Sequence, residues 1–445
     1  ERLSTISKHL NTNKTSAKNA PKNPNDVVIC GAVRTPLTKA KRGGLKDTTP
    51  EILLKAVLEG LVKKTGVKAA DIQDMVFGNV SQPGAGVFPA RMSSLLSGIP
   101  DTVPCASVNR LCSSGLEACA TIASKIRAGF IDIGVGGGVE QMTMFDMQSS
   151  LDPEKISEAV FDHPQARNTL LSMGQTSENV AEKFGISREK QDKMAVESHR
   201  KAFEAQKKGL YDEEIVPVQT IQKDAEGKIK EVTISKDDGI RPETTFEGLQ
   251  KLKPAFKKDG TTTAGNSSQV NNLLPLDSVL IIFSTTGHDG AAAVLLARRS
   301  TAEKLGLPIL ARFVSYAVAG VAPEIMGKRS IMKNKVDIFS LGIGPAVAIP
   351  EVLKKTGLEI KDIDIFEINE AFASQATYCV EKLGVDTKKL NPKGGAIALG
   401  HPLGCTGARQ IATLLPELKR TGGKFGVISM CIGTGMGAAA VIERE

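Results

Sequence analysis

The chain has 445 residues, 24% of them charged and 41% hydrophobic, with a formal net charge of +8. That length asks for more than one hydrophobic core, so two or three domains are expected. No apolar run reaches the roughly 18 residues a membrane-spanning helix needs, and Trp is absent with no basic stripe interleaved with aromatics, so neither a membrane nor nucleic acid is an expected partner.

Residues 1–25 are dominated by Asn, Lys, Ser, Thr and Pro, and 11–25 read as a disordered tether. Ahead of it, Arg2-Leu3 is followed, after five residues, by His9-Leu10. The chain opens on Glu1 and not on Met, so an upstream stretch is expected to be missing or removed. From there on, apolar runs at 26–32, 74–77, 131–136, 291–296 and 426–430 predict buried strands. Residues 50–64, 116–127 and 344–356 predict helices. Ser187 is the candidate N-cap of a polar amphipathic helix with Val196 and Phe203 on one face. This alternation predicts an α/β fold, with a mixed, largely parallel sheet covered on both faces. The seven cysteines have neither paired spacing nor a zinc pattern, which fits a reducing compartment and implies no metal.

The two halves of the chain echo each other. Lys63-Lys64-Thr65-Gly66-Val67 is matched by Lys354-Lys355-Thr356-Gly357-Leu358. Asp74 with Asn79 is matched by Asp364 with Asn369, and Gly290-Ala291-Ala292-Ala293-Val294 by Gly437-Ala438-Ala439-Ala440-Val441. Asn79 to Gly290 spans 211 positions and Asn369 to Gly437 spans 68, so the first half carries 143 extra residues, mainly between about 145 and 288.

Three positions carry chemistry. Cys112 precedes Ser113-Ser114-Gly115 and a helical run, which sets it near a helix N-terminus, where the dipole favours a thiolate. His401, in Gly400-His401-Pro402, follows Asn369 by 32 residues, as Cys112 follows Asn79 by 33. In a duplicated fold with a pseudo-twofold axis, nucleophile and histidine converge from equivalent helix N-termini, and the histidine takes the thiol proton. Cys431, in Cys431-Ile432-Gly433-Thr434-Gly435, is a second thiol suited to proton transfer at carbon. Gly433 lets a backbone N–H approach an oxyanion.

These segments, with Met173-Gly174-Gln175-Thr176-Ser177-Glu178-Asn179-Val180, Thr262-Thr263-Ala264-Gly265-Asn266-Ser267-Ser268 and Asn369-Glu370-Ala371-Phe372-Ala373, resemble the thiolase family, most closely its peroxisomal 3-ketoacyl-CoA members. The resemblance covers about residues 26–445. It implies the thiolase fold: two duplicated α/β halves with a large loop domain inserted in the first. The expected division is 1–25, a disordered import-signal segment; 26–145 with 288–299, the N-terminal half; 146–270, the loop domain; and 300–445, the C-terminal half. The implied activity is CoA-dependent cleavage of 3-ketoacyl-CoA to acetyl-CoA and a shortened acyl-CoA through acyl-Cys112, the last step of β-oxidation. CoA is then a substrate, attractive to a basic chain because of its phosphates, and no bound cofactor is implied. Asn369 is expected to hold a water that works with His401. Gly433 is expected to hold an oxyanion, and Ser268 and Met326 to line the substrate cleft. Where some members have a histidine before Met-Gly this chain has Ser172, so that CoA contact is not carried over. Arg2-Leu3 and His9-Leu10 resemble the N-terminal address of peroxisomal matrix proteins, which implies an import receptor as partner. A homodimer is implied as well.

Two segments do not resemble the family, 271–287 and 328–342. They are either tolerated surface loops or translated introns. The second case leaves a catalytically impaired thiolase-fold protein as an alternative. An acetoacetyl-CoA thiolase is another alternative, against which the import-like N-terminus argues. Condensing ketosynthases fit poorly, because they pair their nucleophile with histidines.

Overall fold

The computed structural model describes residues 16–145, 155–268, 287–321 and 343–445. Strand β1 (Val27–Arg34), the short β2 (Thr38–Lys39), helix α1 (Pro50–Thr65), β3 (Asp74–Gly78), α2 (Val87–Leu96), β4 (Cys105–Val108), α3 (Ser114–Ala128) and β5 (Ile133–Gln141) come first. Then come α4 (Met173–Phe184), α5 (Arg188–Lys207) and a hairpin of β6 (Val218–Lys223) and β7 (Ile229–Ile234). The chain continues through β8 (His288–Arg298), β9 (Ala311–Gly320), α6 (Gly344–Thr356), β10 (Ile365–Ile368), α7 (Ala373–Leu383), α8 (Thr406–Thr421), β11 (Phe425–Ile432) and β12 (Met436–Arg444).

The strands form one hydrogen-bonded path in the order β10-β11-β12-β9-β1-β8-β5-β3-β4, with β2 on β8. At its centre β1 and β9 share only two residue pairs, Val28 with Arg312 and Ile29 with Ala311, so the path is two sheets joined at a narrow seam. Period-two alternation sorts each strand between two cores. Val27, Ile29, Val294 and Leu296 from the first sheet meet Ile428, Met430, Ala440 and Ile442 from the second, with Leu116 and Ile122 of α3 and Ile411 and Leu414 of α8 between them. The opposite faces, Val28, Cys30, Ala293 and Leu295, pack on Leu54, Val57 and Leu58 of α1. Val427, Ala439 and Val441 pack on Ile349 and Val352 of α6. Helices and sheets therefore alternate in layers, with α3 and α8 in the middle.

The sheet is mixed, but not largely parallel as the alternation suggested. Only β3–β4, β3–β5 and β10–β11 pair parallel. Strands β8 and β12 each return beside their own half in antiparallel register. The expected disordered tether also fails for its second part. Ser16 donates to the Gly357 carbonyl at 2.7 Å, Lys18 pairs with Asp362 at 2.7 Å, and Ala17 joins the α6 core, so 16–18 is docked beside the end of α6, while Pro24 and Asn25 bond Ser300 and Arg298 at the end of β8. Residues 1–15 lie outside the described residues. In α5, Ser187 caps the helix through Lys190 N–H, but the buried face is Ala195, Ser198, His199, Ala202 and Ala205. Val196 and Phe203 are only half-buried, because small residues let α5 lie close to its neighbours.

The duplication reappears in the register. Gly78 pairs with Gly138 on β3–β5, and Ile368 with Ser429 on β10–β11. Counting on from those pairs makes Asn79 equivalent to Asn369 and Glu140 equivalent to Cys431. Glu140 then faces Gly290, and Cys431 faces Gly437. The repeated Lys-Lys-Thr-Gly strings prove to be helix ends: Gly66 (φ 70°) stops α1 and Gly357 (φ 66°) stops α6.

The middle layer depends on missing side chains. A Cβ on Gly115 would stand 2.6 Å from the Gly404 carbonyl oxygen, and one on Gly138 would stand 1.9 Å from the same atom. Backbone cannot yield there as a side-chain tip does. Gly138→Ala is therefore expected to cost about 3 kcal/mol, read as a lower urea midpoint with an unchanged slope.

A buried charge network ties Glu214 and Asp237, on either side of the β6–β7 hairpin, to β1 and to the segment between α7 and α8. Arg34 donates to Glu214 at 2.7 Å and to both carboxylate oxygens of Asp237 at 2.7 and 2.9 Å. Lys393 reaches Glu214 at 2.6 Å, and Thr413 donates to it at 2.9 Å.

Candidate active site

Cys112 stands between β4 and α3, two residues before the helix begins. The turn is tight enough to hold Leu111 at φ 47°, a left-handed conformation that costs an L-residue about 1–2 kcal/mol. Ser114 holds it, accepting from Arg110 N–H at 2.8 Å and donating to the Leu111 carbonyl at 2.7 Å. Across from it, the β11–β12 turn has a second non-glycine residue at positive φ, Thr434 at 68°. The Gly433 N–H in that turn is near enough to the Cys112 thiol to favour its ionised form, as the Cys112 N–H does. Cys431 is buried at the end of β11, near enough for Cys112 to raise its cost of ionisation.

Burial pushes the Cys112 thiol up to about 11; the two N–H groups oppose this, and the buried Glu140 carboxylate adds to it. Desolvation therefore outweighs the helix N-terminus, and the thiol is protonated at rest. Burial likewise drives Cys431 well above the usual thiol range, with Cys112 and then Cys379 contributing.

His401 is buried in the loop before α8. Its Nδ1 lies 2.6 Å from the Thr406 hydroxyl, which bonds the Pro402 carbonyl at 2.9 Å. One hydroxyl proton cannot serve both contacts. If it goes to the carbonyl, Thr406 accepts from Nδ1–H and Nε2 stays free to take a proton. Asn369 Nδ2 lies 3.3 Å from that Nε2. Burial, then Arg409 and His288, lowers His401 to about 3, so the ring is neutral at rest. A thiol and an imidazole that are both neutral at rest predict a particular pH response. Alkylation of Cys112 by iodoacetamide should rise about tenfold per pH unit from about pH 6 to 9 without a plateau. A plateau near neutrality would mean a preformed thiolate–imidazolium pair.

The remaining expected residues gather nearby. The Ser268 N–H and hydroxyl both bond the Ala371 carbonyl, at 2.9 and 3.1 Å, which fixes Ser268 to the segment carrying Asn369. Ala371, Phe372 and Cys431 form an apolar wall with Met173 and Phe256. Met326 and nearly all of 271–287 and 328–342 lie outside the described residues. Ser172 caps α4, accepting from Gln175 N–H at 3.1 Å. A surface groove of about 830 Å³ beside α5 and α7 reaches Glu370 but none of Cys112, His401 or Cys431.

Residues 27–273 match the family profile described as thiolase, N-terminal domain, and 307–444 match thiolase, C-terminal domain. The chain belongs to the thiolase family. Among curated thiolases, it is 55% identical to the peroxisomal 3-ketoacyl-CoA thiolase B of Rattus norvegicus, over 94% of this chain and 91% of the relative. It is 50% identical to the peroxisomal 3-ketoacyl-CoA thiolase of Yarrowia lipolytica, over the full length of both. Among solved thiolases, the dimeric peroxisomal enzyme of Saccharomyces cerevisiae superposes with a TM-score of 0.81 at 45% identity, over 96% of this chain and 99% of that one.

Sequence reasoning missed four supporting residues of this thiolase. Glu140 accepts from the N–H groups of Val80, Ser81 and Gly404 at 3.1, 3.0 and 2.8 Å, which clamps the His401 loop to the end of β3. His288 accepts from His401 N–H at 3.3 Å. Thr406 orients the imidazole, and Gln375 accepts from the Cys431 thiol at 3.1 Å. Only Glu140 left a signal in the letters, as a carboxylate ending an apolar strand at the position equivalent to Cys431.

Proposed function

We propose that the chain is a 3-ketoacyl-CoA thiolase of the peroxisomal matrix. It cleaves 3-ketoacyl-CoA with CoA to acetyl-CoA and a shortened acyl-CoA, the last step of a β-oxidation round. The observation that carries the mechanism is the buried pairing of Asn369 with His401 Nε2 at 3.3 Å, with a buried Cys112 in the strained turn before α3. Near-full-length identity to peroxisomal 3-ketoacyl-CoA thiolases supports the substrate class and the compartment.

His401 Nε2 takes the Cys112 proton as the sulfur attacks the 3-keto carbon. The bond between C2 and C3 then breaks, leaving acyl-Cys112 and the enolate of acetyl-CoA. His401, now an imidazolium, faces the enolate oxygen together with a water on the buried, otherwise unpartnered Oδ1 of Asn369. Cys431 gives its proton to C2. The imidazolium re-protonates the Cys431 thiolate, and neutral His401 then takes the proton of the incoming CoA thiol as it attacks the acyl carbon. The N–H groups of Cys112 and Gly433 hold the oxyanion, Cys112 leaves, and His401 returns its proton. Ser268 contacts the pantetheine arm, and the family resemblance alone assigns Met326 to the substrate cleft. The reaction asks nothing of a metal or bound cofactor.

The division of the chain follows from the same reading: 26–145 with 288–299, then 146–270, then 300–445. Pairing of β8 with β1 and β5 supports assigning 288–299 to the first half. Arg2-Leu3 and His9-Leu10 serve as an address for an import receptor. The enzyme is a homodimer, a reading supported by Phe88, Met92, Leu95 and Leu96, exposed together on α2 near the edge strand β4.

The test is CoA-dependent cleavage of a medium-chain 3-ketoacyl-CoA by this chain and by a version lacking 271–287 and 328–342. Equal turnover is expected, with little preference for acetoacetyl-CoA. Turnover only in the trimmed version would mark this sequence as an impaired form. Turnover in neither, with both folded, would contradict the assignment.

A further inference from the structure

Cys431 donates its S–H to Gln375 Oε1 at 3.1 Å, inside a pocket where both residues are 3% exposed. Gln375 sits in the first turn of α7, whose start is pinned. Ala373 N–H bonds the Asn266 carbonyl at 2.9 Å, and the Ser374 and Ser177 hydroxyls meet at 2.7 Å. The amide's other end is unusual. Nε2 is buried and has no hydrogen-bond partner among the described residues. An orphaned buried N–H donor is costly and asks for a reason.

The chemistry of Cys431 supplies one. When its proton goes to the enolate carbon, an S–H bond breaks, a C–H bond forms, and a thiolate remains in a desolvated site. Oε1, the atom that accepted the thiol proton, then faces a negative sulfur. A half-turn about the last torsion of glutamine exchanges oxygen and nitrogen at almost unchanged positions. It would bring Nε2–H onto the thiolate. Because Nε2 holds no other bond, the turn breaks none.

We propose that Gln375 is the positioning residue of Cys431, and that its amide accepts from the thiol and turns to donate to the thiolate in each catalytic cycle. This rests on the reading of Cys431 as the acid and base at carbon. It makes the orphaned donor the part of the site that awaits the charge.

The test separates the carbon step from acyl transfer at Cys112. Deuterium wash-in at C2 of acetyl-CoA reports proton transfer by Cys431. Exchange of labelled CoA into an acyl-CoA reports acyl-Cys112. Gln375→Glu keeps the acceptor and the shape but removes the N–H, and Gln375→Leu removes both. Each is expected to slow C2 wash-in about 100-fold while changing labelled-CoA exchange less than about threefold. The alkaline limb of the wash-in pH profile should also move up by more than about one unit. Equal loss of both reactions, or an unmoved limb, makes Gln375 merely structural and overturns the proposal. Cys431→Ala is the control on the underlying reading. If it keeps C2 wash-in, Cys431 is not the carbon acid and the role of Gln375 falls with it.

Discussion

Cys112→Ala is expected to remove thiolytic turnover by more than about 10⁴-fold, while lowering stability by only about 1 kcal/mol. The side chain is small and buried, and the turn around it is held by backbone and by Ser114, so its loss leaves the fold intact. What disappears is the only sulfur that the Gly433 N–H addresses. Without it no acyl-enzyme forms, and CoA has nothing to attack. The comparison with Cys431→Ala sharpens the point. That variant should still exchange labelled CoA through acyl-Cys112 but fail at the carbon step. Steady-state turnover, labelled exchange and urea unfolding on the two variants check this. Labelled exchange that survives Cys112→Ala would refute the nucleophile.

Glu214→Ala is expected to cost about 3–5 kcal/mol of folding stability. Its carboxylate is fully buried between Arg34, Lys393 and Thr413. Removing it strands the Lys393 ammonium and part of the Arg34 guanidinium without solvent. Arg34 belongs to β1, Glu214 to the segment between α5 and β6, and Lys393 to the second half. The network therefore fastens three regions of the chain through buried charge. Burial alone would raise the Glu214 carboxyl, but Lys393 and Arg34 outweigh it and hold the group below the usual carboxylate range. A carboxylate lowered on folding contributes stability that is present above its unfolded value and lost as pH falls through the folded one. The difference between wild type and Glu214→Ala should accordingly be full at neutral pH and shrink in acid, below about pH 4.5. Urea midpoints at several pH values read this directly, and a pH-independent difference would mean that packing, not charge, is what Glu214 supplies.

Much of the fold was legible because local signals agreed. The run at 344–356 became α6 with the expected ends, and 50–64 became α1, because Pro at the start and a Lys-Lys-Thr-Gly end mark a helix without any tertiary help. The duplication could be read because the letters survived at Asn79 and Asn369 and at Gly290 and Gly437. The register then extended it to Glu140 and Cys431, whose letters share nothing. Strand direction was not legible. An apolar run such as 291–296 states that a strand is buried on both faces, but the antiparallel return of β8 beside β5 is a tertiary fact. The docking of Ser16 and Lys18 was hidden for the same reason, since their partners, Gly357 and Asp362, lie more than 300 residues away.

At the site, Cys112, His401, Cys431, Asn369 and Gly433 stood out as residue types with chemistry beside glycine. Their supports did not, because Thr406, Gln375 and His288 act through single contacts across the interior. The protonation state of Cys112 was not legible, because a helix N-terminus can be read from sequence while the depth of burial that opposes it cannot.

The most direct test is a single turnover without free CoA. Enzyme is mixed with a 3-ketoacyl-CoA, quenched, and mapped by peptide mass spectrometry while released acetyl-CoA is counted. The expected result is the shortened acyl group on Cys112, in step with the acetyl-CoA released. Acyl label on Cys431 or another residue, or acetyl-CoA release with no acyl-enzyme at all, would contradict it.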